Sequence, residues 1–180
     1  MEEAEAKDRA AKEGWVVVED SGRGWRRVVA SPIPQKIVEL DAVKTLLDNG
    51  ICTITVGGGG IPIIEDENGN YLGTAAVIDK DYASSLLARS IQADLFLIST
   101  AVEKIYINFN QSDQQAIDVM TVSEAKKYMA VGQFAKGSME PKIRAIIWYL
   151  EAGGKEALVT DPAHIMDALN GKTGTRIIQD

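Results

Sequence analysis

Apolar positions along this chain recur with two periods, and the two periods alternate. Residues 2–13 are rich in Ala, Glu and Lys and predict a solvated helix, which Gly14 stops. Residues 15–19 and 25–30 are β-rich runs separated by Asp20-Ser21-Gly22-Arg23-Gly24, so a hairpin with a loose loop is expected. Ser31-Pro32-Ile33-Pro34 is held extended, because each proline pushes its predecessor out of the helical region. Ile37, Leu40, Val43, Leu46 and Leu47 have helical spacing, and Gly50 suits the position just past the helix end. Ile51–Val56 is a β-branched apolar run and reads as a buried strand, with Cys52 buried inside it. A hairpin is expected between residues 61–64 and 71–72, around the turn Asp66–Asn70.

The second half repeats the alternation more strongly. Val77–Asp81 opens a helix that runs to about Gln92, and Leu95–Ser99 is a second buried strand. Residues 105–108 form a third, shorter strand, and the polar residues 110–115 a surface loop. Thr121-Val122-Ser123-Glu124 has capping-box spacing, so a helix starts there and ends near Gly132. A further helix runs from about Pro141 to Glu151, closed by Gly153-Gly154. Ala157–Val159 is a strand, Asp161-Pro162 an N-cap with proline at the first helical position, and residues 175–178 the last strand. Alternating strands and helices of this length argue an α/β fold with a mainly parallel sheet. The composition break lies at residues 31–34, giving a small β-hairpin unit (1–34) and a main α/β body (35–180).

Four consecutive glycines, Gly57, Gly58, Gly59 and Gly60, follow the run Ile51–Val56. Glycine takes positive φ freely and leaves the backbone N–H groups bare, and ligands of α/β sheets sit beyond the carboxyl ends of strands. The run therefore marks either a site for something small and anionic or a flexible turn. Composition narrows the partners. The chain has 180 residues, 46% hydrophobic and 25% charged, with a net charge of -7. No Lys/Arg stripe with interleaved aromatics occurs, which argues against nucleic acid. No apolar stretch is long enough to span a bilayer, and residues 2–13 hold no signal-peptide core. With one cysteine, these features favour the cytoplasm.

Several phosphate motifs fail. Pro62 stands where a dinucleotide fingerprint needs its third glycine. Gly171-Lys172-Thr173 imitates the end of a P-loop, but Met166 replaces the first glycine, and Gly132–Ser138 is another near miss. His164 is the only histidine, a surface or capping residue that leaves a Ser-His mechanism little to work with. One cysteine and one histidine exclude a Cys/His zinc site, while carboxylate-bound Mg²⁺ stays open. What holds is a pair of lysines at helix starts. Lys80 lies between Asp79 and Asp81, and Lys142 follows Gly137-Ser138-Met139-Glu140-Pro141. A cation at a helix N-terminus opposes the helix dipole, so two such cations make sense if both face one anion such as phosphate, with Asp81 aiming them. Taken singly, each lysine also reads as a solvated surface residue.

This constellation resembles carbamate kinase, of the amino acid kinase family. The matching stretches are Gly22–Val29 with Ser31–Pro34, then Val56–Pro62, Val77–Asp81, Thr100–Lys104 with Ile107–Phe109, and Phe134–Lys142, in the family's order from about Gly14 to the C-terminus. The resemblance implies a three-layer αβα architecture with an open, mainly parallel sheet, and a protruding subdomain to which residues 15–30 belong. It implies reversible phosphoryl transfer between ATP and carbamate, with ATP or ADP and Mg as cofactors and a homodimer as the assembly. By resemblance, Lys80 and Lys142 stabilise charge on the transferred phosphoryl group and Asp81 orients them. Ala101, Val102, Tyr106, Gly137, Ser138 and Met139 lie along the nucleotide, and Gly57–Gly60 form the loop where acceptor and terminal phosphate meet.

The chain departs from the family in one large respect. The family's N-terminal half, with its own glycine loops, has no counterpart here, so a fragment or a half-length relative is expected, with weak nucleotide binding and poor turnover. The alternatives are a non-catalytic nucleotide-binding module and an amino acid kinase with a different acceptor.

Overall fold

A computed structural model describes residues 1–20 and 24–180. The predicted loop centre at Ser21, Gly22 and Arg23, part of the Gly22–Val29 stretch, lies outside the described residues. In chain order the elements are α1 (Glu3–Glu13), β1 (Val16–Glu19), β2 (Trp25–Val28), α2 (Leu40–Asp48), β3 (Ile63–Glu65), β4 (Tyr71–Gly73), α3 (Lys80–Ser90) and β5 (Leu95–Ser99). There follow β6 (Ile105–Ile107), β7 (Gln115–Ile117), β8 (Val119–Thr121), α4 (Val122–Ala130), α5 (Met139–Glu151), β9 (Glu156–Thr160), a 3₁₀ turn (Pro162–His164), α6 (Ile165–Leu169) and β10 (Thr175–Ile178).

The chain divides into two compact units, Met1–Pro32 with Ile61–Ile78, and Ile33–Gly60 with Asp79–Asp180. The sequence reading placed residues 61–78 in the larger body, whereas compactness groups them with the N-terminal hairpin. In the smaller unit, α1 carries the i,i+4 ion pairs Glu3–Lys7, Glu5–Arg9 and Asp8–Lys12, and Gly14 closes it in the left-handed conformation at φ 68°. β1 and β2 pair antiparallel, and so do β3 and β4. Arg9 and Arg27 both stack over Trp15, their guanidinium carbons 5.0 and 4.6 Å from the ring centre.

The larger unit is built on a four-stranded sheet in the order β5-β9-β10-β8. β5 and β9 are parallel, β9 and β10 antiparallel, and β10 and β8 parallel, so the open sheet is mixed. Ala157, Val159, Ile177, Phe96 and Ile98 join Ile143, Ile146 and Leu150 of α5 in one core. Leu158 points the other way: a Cβ added at Gly174 would meet the side chains of both Leu158 and Ala168, which places α6 on the opposite face. With both faces covered, Ala157–Thr160 are all fully buried.

Three readings are corrected. Ile51–Val56 is not a buried strand: it has no strand hydrogen bonding among the described residues, and Ile54 is 100% exposed. β-branched residues favour a strand only where a neighbour supplies backbone partners and a face to pack on, and the described residues supply neither. Cys52 is accordingly exposed. The predicted loop at residues 110–115 ends one residue earlier, since Gln115 opens β7, which pairs antiparallel with β6, and β8 (Val119–Thr121), for which no strand was predicted, joins the main sheet. These are three-residue strands, too short to show a period. No helix of the described residues is long and apolar enough to cross a membrane.

Candidate active site

Topology puts the candidate residues at one edge of the larger unit. Only residues 91–94 separate α3 from β5, and only 152–155 separate α5 from β9, so each helix runs back along its strand. An 11-residue helix and a five-residue strand both span about 16 Å. The N-termini of α3 and α5 therefore lie at the carboxyl ends of β5 and β9, where open α/β sheets bind ligands.

Small residues, Ser85 and Ala88 on α3 and Ala145 on α5, let the two helices come together. Asp81, Ser85 and Ala88 on α3 have 4- and 3-residue spacing, as do Lys142, Ala145 and Tyr149 on α5 in the reverse order. The Ser85 hydroxyl, fully buried, donates to the carbonyl of Ala145 at 2.7 Å. One turn towards the N-termini, Lys142 Nζ donates to Asp81 Oδ2 at 2.9 Å, with the two side chains 11% and 10% exposed. Lys80 Nζ reaches the same oxygen at 3.3 Å, but its side chain is 57% exposed. One carboxylate oxygen thus holds two ammonium groups, one fixed in the protein and one at its surface, and the pair of cations exceeds the single anion between them. Burial disfavours the charged form of Lys80, but the charge and hydrogen bond of Asp81, with the charge of Asp79, outweigh it and raise its pKa.

The helix ends themselves are satisfied from within. Asp79 caps α3, its Oδ1 accepting from the N–H groups of Asp81 at 2.8 Å and Tyr82 at 3.4 Å. At α5 the N–H groups of Ser138, Met139 and Glu140 all converge on the carbonyl of Ala135, and Pro141 has none. The positive charge at this edge therefore comes from the lysine heads more than from open helix ends. An Asp just before a helical run is the sequence signal for this cap.

The remaining candidates group in two places. Ala101 and Val102 follow the carboxyl end of β5, and Tyr106 lies in β6 with its ring 6.0 Å from that of Phe109. Gly137, Ser138 and Met139 lead into α5 within a turn of Lys142. Gly57–Gly60 stand apart, and no hydrogen bond joins them to Lys80, Asp81 or Lys142 among the described residues. The N–H of Gly59 instead donates to Val56 O at 2.7 Å, closing a tight turn. Val56 itself takes φ 52°, an outlier for a β-branched residue, and Gly57, Gly59 and Gly60 also have positive φ. A Cβ at Gly57, Gly58 or Gly60 would meet nothing within 4 Å, so no neighbouring protein atom demands a glycine there.

His164 is partly exposed, and its Nδ1 lies 2.8 Å from Asp161 Oδ1, the atom that also caps the 3₁₀ turn. Among the described residues, no cluster of three or more His, Cys, Asp or Glu side chains is arranged to hold a metal.

Residues 7–161 match the amino acid kinase family. Carbamate kinase-like protein YahI of Escherichia coli is 49% identical, over 94% of this chain and 54% of its own length. Carbamate kinase 3 of Staphylococcus aureus is 51% identical, over 96% and 56%. The solved structure of carbamate kinase from Giardia lamblia bound to AMP-PNP superposes with a TM-score of 0.90 at 46% identity, covering 100% of this chain and 57% of that one. The chain thus spans just over half the length of these relatives. Its sequence and its sheet, with the lysine-bearing helices at the carboxyl edge, place it in the amino acid kinase family.

Proposed function

We propose that this chain is the nucleotide-binding part of a carbamate kinase, moving a phosphoryl group reversibly between ATP and carbamate. The observation that carries the reading is the sharing of Asp81 Oδ2 by Lys142 and Lys80. Phosphoryl transfer needs in-line positioning and cancellation of charge on three equatorial oxygens more than it needs a protein nucleophile. Lys142, buried and fixed by Asp81, supplies a preorganised charge. Lys80, tethered to the same oxygen but exposed, is free to follow the phosphoryl group as it moves. Asp81 is the positioning carboxylate for both.

In this reading Ala101, Val102 and Tyr106 line the base and ribose, and Gly137, Ser138 and Met139 pass along the phosphates. Gly57–Gly60 offer a bare backbone to the acceptor and terminal phosphate, and at Gly57, Gly58 and Gly60 no protein neighbour would meet an added Cβ. Mg²⁺ would neutralise phosphate charge. Asp81 already serves two lysines, so the metal would be carried mainly by the nucleotide. The 1–34 segment belongs to a protruding subdomain, the assembly is a homodimer and the compartment is the cytoplasm.

The test is ATP formation from carbamoyl phosphate and ADP, followed by phosphorus NMR. Slow turnover by the chain that falls at least about a hundredfold in Lys142→Ala supports the reading. Turnover unaffected by that substitution overturns the assignment of Lys142.

A further inference from the structure

The segment Gly171–Thr175, which contains the Gly171-Lys172-Thr173 run rejected above as a phosphate loop, makes a different set of contacts. The Thr173 hydroxyl donates to Glu103 Oε1. The Thr175 hydroxyl, fully buried, accepts from the N–H of Ile105 at 2.8 Å and donates to the carbonyl of Ile117 at 2.5 Å. Ile105 and Ile117 are cross-strand partners in the β6–β7 hairpin, so one hydroxyl pins both strands of that hairpin to β10. Two more ties complete the frame. The N–H of Thr100 donates to Thr160 O at 2.8 Å, and Lys104 Nζ to Asp118 Oδ1 at 2.5 Å. Residues 100, 103, 104 and 105 are thus each anchored, and Ala101, exposed, and Val102, half-buried, lie between those anchors.

We infer that Thr173 and Glu103 are positioning residues for adenine-nucleotide recognition: the Gly171–Thr175 loop clamps the 100–105 segment and so sets the shape of the surface that receives base and ribose. This rests on the function proposed above. Gly174 explains why the loop can come so close. Its φ is 80°, and a Cβ there would lie 3.0 to 3.1 Å from Ala168, Leu158 and Val159 O. The Thr173–Glu103 bond is the part of the clamp open to test, because Thr175 is buried and its loss would orphan two backbone groups.

The experiment compares wild type, Thr173→Val and Thr173→Ser by titration calorimetry with Mg-AMP-PNP and, separately, with tripolyphosphate, which has no base or ribose. Amide exchange over residues 100–105 is measured without ligand. The clamp predicts that Thr173→Val speeds exchange in that segment and weakens AMP-PNP about tenfold, the worth of one hydrogen bond to a charged group. Tripolyphosphate affinity stays unchanged, and Thr173→Ser restores both properties. Glu103→Gln, which keeps an acceptor, gives an intermediate loss. Unchanged exchange, or equal weakening of both ligands, overturns the inference while leaving the proposed function standing. Wild-type protein that is folded and binds no AMP-PNP overturns both.

Discussion

Replacing Asp81 by alanine strands Lys142 in the α3–α5 contact. The Lys142 side chain is 11% exposed and its Nζ donates to Asp81 Oδ2 at 2.9 Å. Breaking a buried ion pair by removing one member costs about 3–5 kcal/mol, and the residual exposure argues for the lower end, about 3 kcal/mol. With a urea dependence of about 2 kcal/mol per molar, the unfolding midpoint should fall by about 1.5 M at unchanged slope. Lys142→Met is the asymmetric control. Asp81 keeps Lys80 at 3.3 Å and is left less isolated, so the loss should be about 1–2 kcal/mol. The double variant Asp81→Leu/Lys142→Met should return to within about 1 kcal/mol of wild type, because apolar pairs often replace buried ion pairs without loss. A midpoint for Asp81→Ala within about 0.3 M of wild type would refute the argument, since it would mean that Lys142 is solvated and not held by Asp81. A double variant that is stable but inactive would separate the pair's role in chemistry from its role in folding.

Three further outcomes follow from single sites. Gly154→Ala should cost about 1–3 kcal/mol in urea unfolding, because its Cβ would sit 2.5 Å from the ring of Tyr149, whose hydroxyl donates to Ala93 O; a wild-type midpoint would contradict this packing. Cys52 should react fully with a thiol reagent in the native state, and protection would restore the buried-strand reading of Ile51–Val56. The hydrogen bond to Asp161 raises the pKa of His164 above 6.5, so its stabilising contribution is complete below that value and fades as pH rises through the folded pKa. The gap in Tm between wild type and His164→Gln should therefore narrow as pH rises from below 6.5 through the raised folded pKa, and a constant gap would contradict the pairing.

Local signals carried most of the larger unit. Leu95–Ser99 and Thr175–Ile178 appear as read, because each is a short apolar run with buried neighbours. The capping box at Thr121 and Glu124 is present with both bonds, and α5 begins two residues before the predicted start. Spacing also put Lys80 and Lys142 at helix starts, but it could not show that they share one oxygen. That depends on Ser85 and Ala145, whose small size lets α3 and α5 approach, and no local pattern announces a contact 60 residues apart. The same reason hid Thr173 and Thr175, which bond to partners 70 and 58 residues away. Ile51–Val56 failed for the opposite reason: its local signal is strong, but a strand needs a partner and none is present among the described residues.

The account stands most directly on the affinity of the chain for Mg-AMP-PNP with and without Lys142, measured by titration calorimetry on samples confirmed as folded. It predicts weak but saturable binding by wild type and a loss of about tenfold or more in Lys142→Met, where a fixed charge beside the terminal phosphate is gone. Equal binding by the two proteins, or no heat from folded wild type, would contradict it.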